Sequence, residues 1–296
     1  MERWLANLVL RSRISIRIQP IFDLLSFLLT PFTYLDHITS NRESLIWNSE
    51  NFSENYVFEP IKTLTPVLVY VCPCLDSLDR YDRAFIRKMS ARHELILLSN
   101  CSKHAVHSAG DQNPVFTRKN RGRDLAAYRD VAKILGSRGL ERDVLFLNSS
   151  CYWDPNLLAK FIGCEISSDS ISFMTSSSQS KFHFQTYFIY VPVHLFEAFT
   201  NGILNNFRNW RLKRTAVHFG ELKSKEFLLY YGMKSNEIFK SEMINSSHVP
   251  SKYFNPSILG ATSLIKLGAP FLKKTALLIN KEDSSVFHSF ISDLDK

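Results

Sequence analysis

Short apolar runs alternate with amphipathic stretches along the middle of the chain. Pro66 introduces Val67-Leu-Val-Tyr-Val-Cys, an apolar run with β-branched residues that predicts a buried strand. From Asp76 to His93, Leu78, Tyr81, Phe85 and Met89 fall on one helical face. Glu94-Leu-Ile-Leu-Leu-Ser predicts a second strand, and Pro114-Val-Phe-Thr-Arg a short third. Asp124 to Leu135 reads as a helix with a stripe of Leu125, Tyr128, Val131 and Leu135. Asp143-Val-Leu-Phe-Leu-Asn is a further strand with a polar tip. Strands that alternate with helices predict a parallel sheet covered on both faces. Ligands of such sheets bind beyond the carboxyl ends of the strands. The polar tips Ser99-Asn100, Lys119 to Asp124 and Asn148-Ser149-Ser150 are expected there. After about residue 165 the pattern loosens. Ile171 to Met174 and Phe184 to Val191 read as strands; His194 to Trp210 and Glu221 to Tyr231 read as helical. Leu259 to Leu278 reads as a terminal helical pair broken at Pro270, and the polar Asp36 to Glu59 as a linker.

Composition narrows the class. The 296 residues are 45% hydrophobic and 22% charged, enough for a large α/β domain without covalent staples. The five cysteines, Cys72, Cys74, Cys101, Cys151 and Cys164, are scattered and include no CxxC pair, so they read as reduced thiols of a cytosolic protein. A net charge of +8 favours anionic partners such as phosphates or a membrane surface. Nucleic acid is disfavoured, since no helix-turn-helix spacing, RNP motif or paired zinc ligands occur. The longest apolar stretch, Ile21 to Phe32, contains Asp23 and falls short of the roughly 20 residues that span a bilayer. Arg3, Arg11, Arg13 and Arg17 precede Leu24, Leu25, Leu28 and Leu29. This basic, greasy segment reads either as an interfacial helix on an anionic leaflet or as a terminal helix packed on the domain.

Four segments, in order, resemble the rhamnan-synthesis F-like glycosyltransferases. Arg118-Lys-Asn-Arg-Gly-Arg-Asp-Leu-Ala-Ala-Tyr is similar to that family's Asn-x-Gly-x-Asp motif. Asp143-Val-Leu-Phe-Leu-Asn-Ser-Ser-Cys-Tyr-Trp-Asp-Pro is similar to its strand ending in Asn-Asp-Ser. His183-Phe-Gln-Thr-Tyr-Phe is close to His-x-Gln-Ser-Tyr-Phe, and is followed by Phe207, Trp210 and Gly220-Glu221. Gly268-Ala-Pro-Phe-Leu-Lys-Lys is close to Gly-x-Pro-Phe-Leu-Lys. Together these cover roughly residues 66 to 280. The resemblance implies a nucleotide-diphosphate-sugar donor, a GT-A-like fold and a role in rhamnose-containing polysaccharide or O-antigen assembly. One departure stands out: Ser149 occupies the place of the family's aspartate. A carboxylate there would suit a divalent metal, Mg or Mn, on the donor diphosphate, and serine is a poor substitute.

Glycosyl transfer needs a base for the acceptor hydroxyl, tolerance of an oxocarbenium-like state, and positive groups or backbone N–H for the leaving diphosphate. Lys119, Arg121 and Arg123 sit with Asn120 and Gly122 on a loop before a helix, suited to the diphosphate. The plainer reading is a solvated basic loop with Asp124 as a helix cap. Asp124 suits a nucleoside hydroxyl equally well. Asn148, Ser149 and Ser150 complete the expected donor side. Glu221 and His183 are the candidate bases, with Gln185 on the acceptor side; a first-turn glutamate and a structural histidine are the plain alternatives.

The expected architecture is an α/β, GT-A-like, mixed and mostly parallel sheet with helices on both faces and a C-terminal helical part. Residues 1–60 form a basic segment and linker, 61–165 the nucleotide-sugar half, and 166–296 the acceptor half with the C-terminal helices. The expected reaction is inverting transfer of a hexose, such as rhamnose, to a polysaccharide or lipid-linked glycan. The place is the cytoplasm, peripheral to the inner face of the membrane. The competing reading is a catalytically inactive subunit that binds glycan or a partner enzyme, which Ser149 favours.

Overall fold

The computed structural model describes residues 30–44, 46–50, 65–101, 113–164, 166–178, 181–244, 254–280 and 283–294. In chain order the elements are helix α1 (30–39), strand β1 (Ile46–Glu50), β2 (Val67–Cys72), α2 (Arg80–Ser90), β3 (Leu95–Ser99), β4 (Val115–Arg118), α3 (Arg123–Ser137), β5 (Val144–Asn148), β6 (Cys151–Trp153) and α4 (Pro155–Cys164). Then come β7 (Ile171–Phe173), β8 (Ser176–Ser177), β9 (His183–Phe184), β10 (Phe188–Val191), α5 (Val193–Ala198), α6 (Lys213–Phe219), α7 (Ser224–Tyr230), β11 (Ser235–Glu237) and α8 (Ser241–Ile244). The chain closes with α9 (Pro256–Leu259), α10 (Ala261–Lys266), β12 (Phe271–Lys273), α11 (Lys274–Ile279) and α12 (Ser284–Leu294).

Eight strands form one sheet in the order β1-β4-β3-β2-β5-β10-β7-β11. Strands β4, β3, β2 and β5 run parallel, as does β11 beside β7. Strands β1 and β10 run antiparallel to their neighbours. Every residue of β2, β3 and β5 is buried, the mark of central strands covered on both faces. Alternate residues feed two cores. Val67, Val69 and Val71 face one that includes Leu125, Tyr128, Val131 and Leu135, the stripe expected of α3. Leu68, Tyr70 and Cys72 face the other, with Phe85 and Met89 of α2 and Leu158 of α4. The α/β class expected from the pattern, a mixed and mostly parallel sheet with helices on both faces, is therefore the one formed, with short helices gathered at the C-terminal end.

Several local features depart from the pattern. Residues 36–44 and β1, polar enough to read as linker, are docked instead. Asp36 is buried and accepts backbone N–H bonds from Arg211 and Leu212 at 3.0 and 3.1 Å. His37 stacks on Phe219 at 3.8 Å between ring centres and accepts the Trp210 indole N–H. That acceptor role needs a neutral ring. Burial first, then Arg208, lowers the His37 pKa and keeps it neutral. Residues 51–59 of the expected linker, and residues 1–29 of the basic amino-terminal segment, lie outside the described residues. The terminal helical pair is interrupted by β12, which pairs with β6 and carries the sequence after Pro270 across the domain. The helix expected over 194–210 runs from Val193 to Asn206, as α-helix only to Ala198 and then as a wider and a tighter turn; Phe207 to Trp210 leave it to meet residues 37–43. Among the described residues no helix is long and apolar enough to cross a membrane.

Candidate functional site

The carboxyl ends of β2, β3 and β4 open on one cleft. A cavity of about 260 Å³ is lined by Pro73 after β2, Asn100 after β3, and Asn120, Arg123, Asp124 and Leu125 around the start of α3. Thr186, Lys213, Ala216, Val217 and Glu221 close the other side. The wall thus alternates cations, Arg123 and Lys213, with carboxylates, Asp124 and Glu221, over a small apolar floor.

The loop from Lys119 to Gly122 holds its shape because of what lies beneath it. Arg118, a β4 residue with no exposed surface, donates to Asp130 at 3.1 Å, to Asn100 Oδ1 at 2.9 Å and to the Arg121 carbonyl at 3.0 Å. Arg129 is equally buried, pairs with the same Asp130 at 2.6 Å, and donates to the carbonyls of Phe207 and Glu43. Asn209 accepts from both arginines and donates to Glu43 and Asn41. Two buried cations share one buried carboxylate and otherwise bond to carbonyl oxygens, so their N–H groups find acceptors while one positive charge stays in excess. The network ties loop 119–122, the β3 tip, α3 and the segment before β1 into one unit.

Gly122 takes φ of +69°, the left-handed region that glycine occupies without steric cost. A Cβ there would also sit 2.3 Å from the Arg208 carbonyl oxygen and from Ala126 Cβ. Its N–H donates to the Trp210 carbonyl at 2.7 Å. Arg123 follows at φ +54°, a conformation that a long side chain seldom adopts and that is retained where surroundings over-determine it. The result is a tight entry into α3 that turns Arg123 and Asp124 toward the cleft. Across it, Gly220 lets the Glu221 backbone approach α3: a Cβ at Gly220 would lie 2.5 Å from Leu125 Cδ1 and from the Ala216 carbonyl oxygen.

Asp124 accepts a 2.7 Å hydrogen bond from Asn148 Nδ2, which joins the tip of β5 to the site. Burial, then the negative charge of Glu221, push its carboxyl up to about 6, against the opposing pull of Arg123 and Asn148. A carboxyl with that value is mostly ionised near pH 7 and takes a proton as the pH falls through about 6.

Of the residues expected from sequence, Asn120, Arg123, Asp124 and Glu221 meet in the cleft. Gly122, Asn148 and Ser150 stand behind it. Ser150 donates both its N–H and its hydroxyl to Asn148 Oδ1, which fixes the amide that holds Asp124. Lys119, Arg121 and Ser149 do not line the cavity: Lys119 is exposed, Arg121 contributes its carbonyl to Arg118, and Ser149 is buried with its N–H on Val71. His183 and Gln185 lie elsewhere. His183 bonds through Nδ1 to the Lys181 carbonyl. Gln185 is buried between Thr175 and Asn255. Asn100, expected only as a polar strand tip, lines the cavity too, whereas Lys213, Thr186 and the arginine pair beneath the loop were missed. Only the alternation of β4, which points Arg118 inward one turn before α3, signals any of them.

A divalent metal, which the resemblance implies, does not fit these residues. Where the family carries a carboxylate, Ser149 is buried and bonded to the sheet. Among the described residues no three His, Cys, Asp or Glu side chains come together. Serine hydroxyls hold a hard cation poorly, and Asp124 is already bonded to Asn148.

No protein-family model matches the chain, and no curated protein matches it in sequence. Among solved structures the chain is similar to the glycosyltransferase GlyE of Streptococcus pneumoniae TIGR4, at 11% identity and a TM-score of 0.37. That likeness covers 61% of this chain and 46% of the other, so the chain spans less than half the structure it matches. The resemblance to the rhamnan-synthesis F-like family rests on the motifs alone.

Proposed function

We propose that the chain is a glycosyltransferase that takes a nucleotide-diphosphate sugar into this cleft. One observation carries the reading. The Asn-x-Gly-x-Asp-like loop and the Gly-Glu pair, some hundred residues apart in sequence, face each other across a single cavity at the carboxyl edge of the sheet. In this reading Arg123 and Lys213 neutralise the diphosphate as the bond to the sugar breaks. Asn120 and Asp124 bond the nucleoside or the sugar hydroxyls. Glu221 takes the proton of the acceptor hydroxyl as that oxygen attacks the anomeric carbon, with inversion. His183 and Gln185, bonded elsewhere, have no part in it. The donor sugar, with rhamnose the choice by resemblance, and a surface polysaccharide or lipid-linked glycan as acceptor, belong to the same proposal. The basic amino-terminal segment would hold the enzyme against an anionic leaflet, where the lipid-linked acceptor resides.

The test is a calorimetric screen of the purified protein against nucleoside diphosphates and their sugars, with chelator and with magnesium or manganese. We expect one nucleotide class to bind in chelator, and Arg123→Ala and Lys213→Ala each to weaken it about tenfold or more. Binding that requires the metal, or that ignores both substitutions, would refute this placement of the diphosphate. A second reading, an inactive binding subunit, is favoured by Ser149 alone. It predicts ligand binding without turnover.

A further inference from the structure

Two thiols stand at the mouth of the cleft without a role in the chemistry above. Strands β2 and β3 are parallel neighbours, with Cys72 opposite Ser99 and the Asn100 N–H on the Cys72 carbonyl at 2.9 Å. Cys74 and Cys101 each follow two residues later, Cys74 beyond a bend at Pro73, so the two leave the sheet from paired positions on neighbouring strands. Neighbouring parallel strands run about 4.8 Å apart, inside the range of separations that a disulfide bridges. Cys74 is extended, and burial first, then the neighbouring Cys101 thiol, raise its pKa against a backbone bond from Asp76. Both are half-buried free thiols within reach of solvent, whereas Cys72 and Cys151 are buried in the core. The residues just before them, Pro73 and Asn100, line the cleft, and Asn100 Oδ1 is held by Arg118.

We propose that Cys74 and Cys101 form a reversible disulfide that clamps the tips of β2 and β3 at the mouth of the cleft. This inference does not depend on which substrate the cleft takes. With a peroxide as oxidant the step balances. One thiolate attacks the O–O bond, giving a sulfenic acid and releasing hydroxide, which takes up a proton as water. The other thiol then attacks the sulfenic sulfur, the S–O bond breaks, and a second water leaves. The peroxide gains two electrons and the two thiols lose them. A small dithiol reverses it by exchange.

The experiment is peroxide treatment of the folded full chain, then alkylation, proteolysis and mass spectrometry, with amide exchange measured on oxidised and reduced protein. We expect one cross-linked peptide pair, Cys74 to Cys101, that disappears with dithiothreitol. Cys74→Ser and Cys101→Ser should each abolish it, and Cys151→Ser should leave it. Exchange of the Asn100 amide should slow about tenfold or more on oxidation. Failure of the pair to form, or a preferred link between other cysteines, would overturn the assignment. A Cys74–Cys101 link that leaves exchange at Asn100 unchanged would overturn the clamp.

Discussion

Asp124 shows how a single side chain can oppose stability and serve a site. Its carboxyl titrates at about 6 in the folded chain against an ordinary 3.8. Between those values the native state keeps a proton that the unfolded chain has lost, so stability falls as pH rises through about 6. Asp124→Asn removes that penalty and can still accept from Asn148. It should raise stability at about pH 8 by up to about 3 kcal/mol and change it little at about pH 4, as read by urea unfolding at both. A mutant no more stable than wild type at the higher pH would contradict the raised value. Gly122 has the opposite sign. Gly122→Ala must distort the turn against the Arg208 carbonyl and should cost about 2 kcal/mol or more in thermal unfolding. The sequence disclosed both positions, because a glycine before an acidic helix start has a mechanism. It did not disclose Lys213, a solvated lysine in pattern, whose place depends on where α6 lands.

At the scale of elements, the strands and amphipathic helices of residues 67–148 were legible because each period reports a face that must be buried. The edge strand β1, the short β6–β12 pair and β11 were not. They are three to five residues long, and their pairing comes from partners far away in sequence. The buried arginine network was hidden for the same reason: Arg118 and Arg129 look like surface cations until Asp130, Asn209 and Glu43 are brought around them. Asp130 carries the only carboxylate that the described structure pairs with these two guanidinium groups. Asp130→Ala leaves both cations buried without it and should destabilise the fold by about 3–5 kcal/mol in denaturant unfolding. Arg87→Ala on the exposed side of α2 should cost under about 0.5 kcal/mol. Equal effects would mean that the network is not what supports the loop.

At the scale of the molecule, the C-terminal segment is bound to the sheet half by more than the β6–β12 pairing. Lys274 donates to Asp82 at 2.6 Å, Tyr70 donates to the same carboxylate, and Tyr152 donates to Asp79. Burial raises the Asp82 pKa although Lys274 opposes it. Lys274→Met should therefore destabilise the chain by about 2–4 kcal/mol near neutral pH, and by less as pH falls and Asp82 takes a proton. Unfolding midpoints across that pH range decide it: a loss that does not shrink in acid would contradict the pairing. The central claim is that Glu221 in the cleft accepts the proton of an acceptor hydroxyl. The direct measurement is the rate of nucleoside diphosphate release, with acceptor present, by wild type and Glu221→Gln, alongside donor affinity. Glutamine keeps shape and hydrogen bonding but not basicity, so turnover should fall about 10²- to 10⁴-fold with donor affinity nearly unchanged. Wild-type turnover in Glu221→Gln would contradict the account.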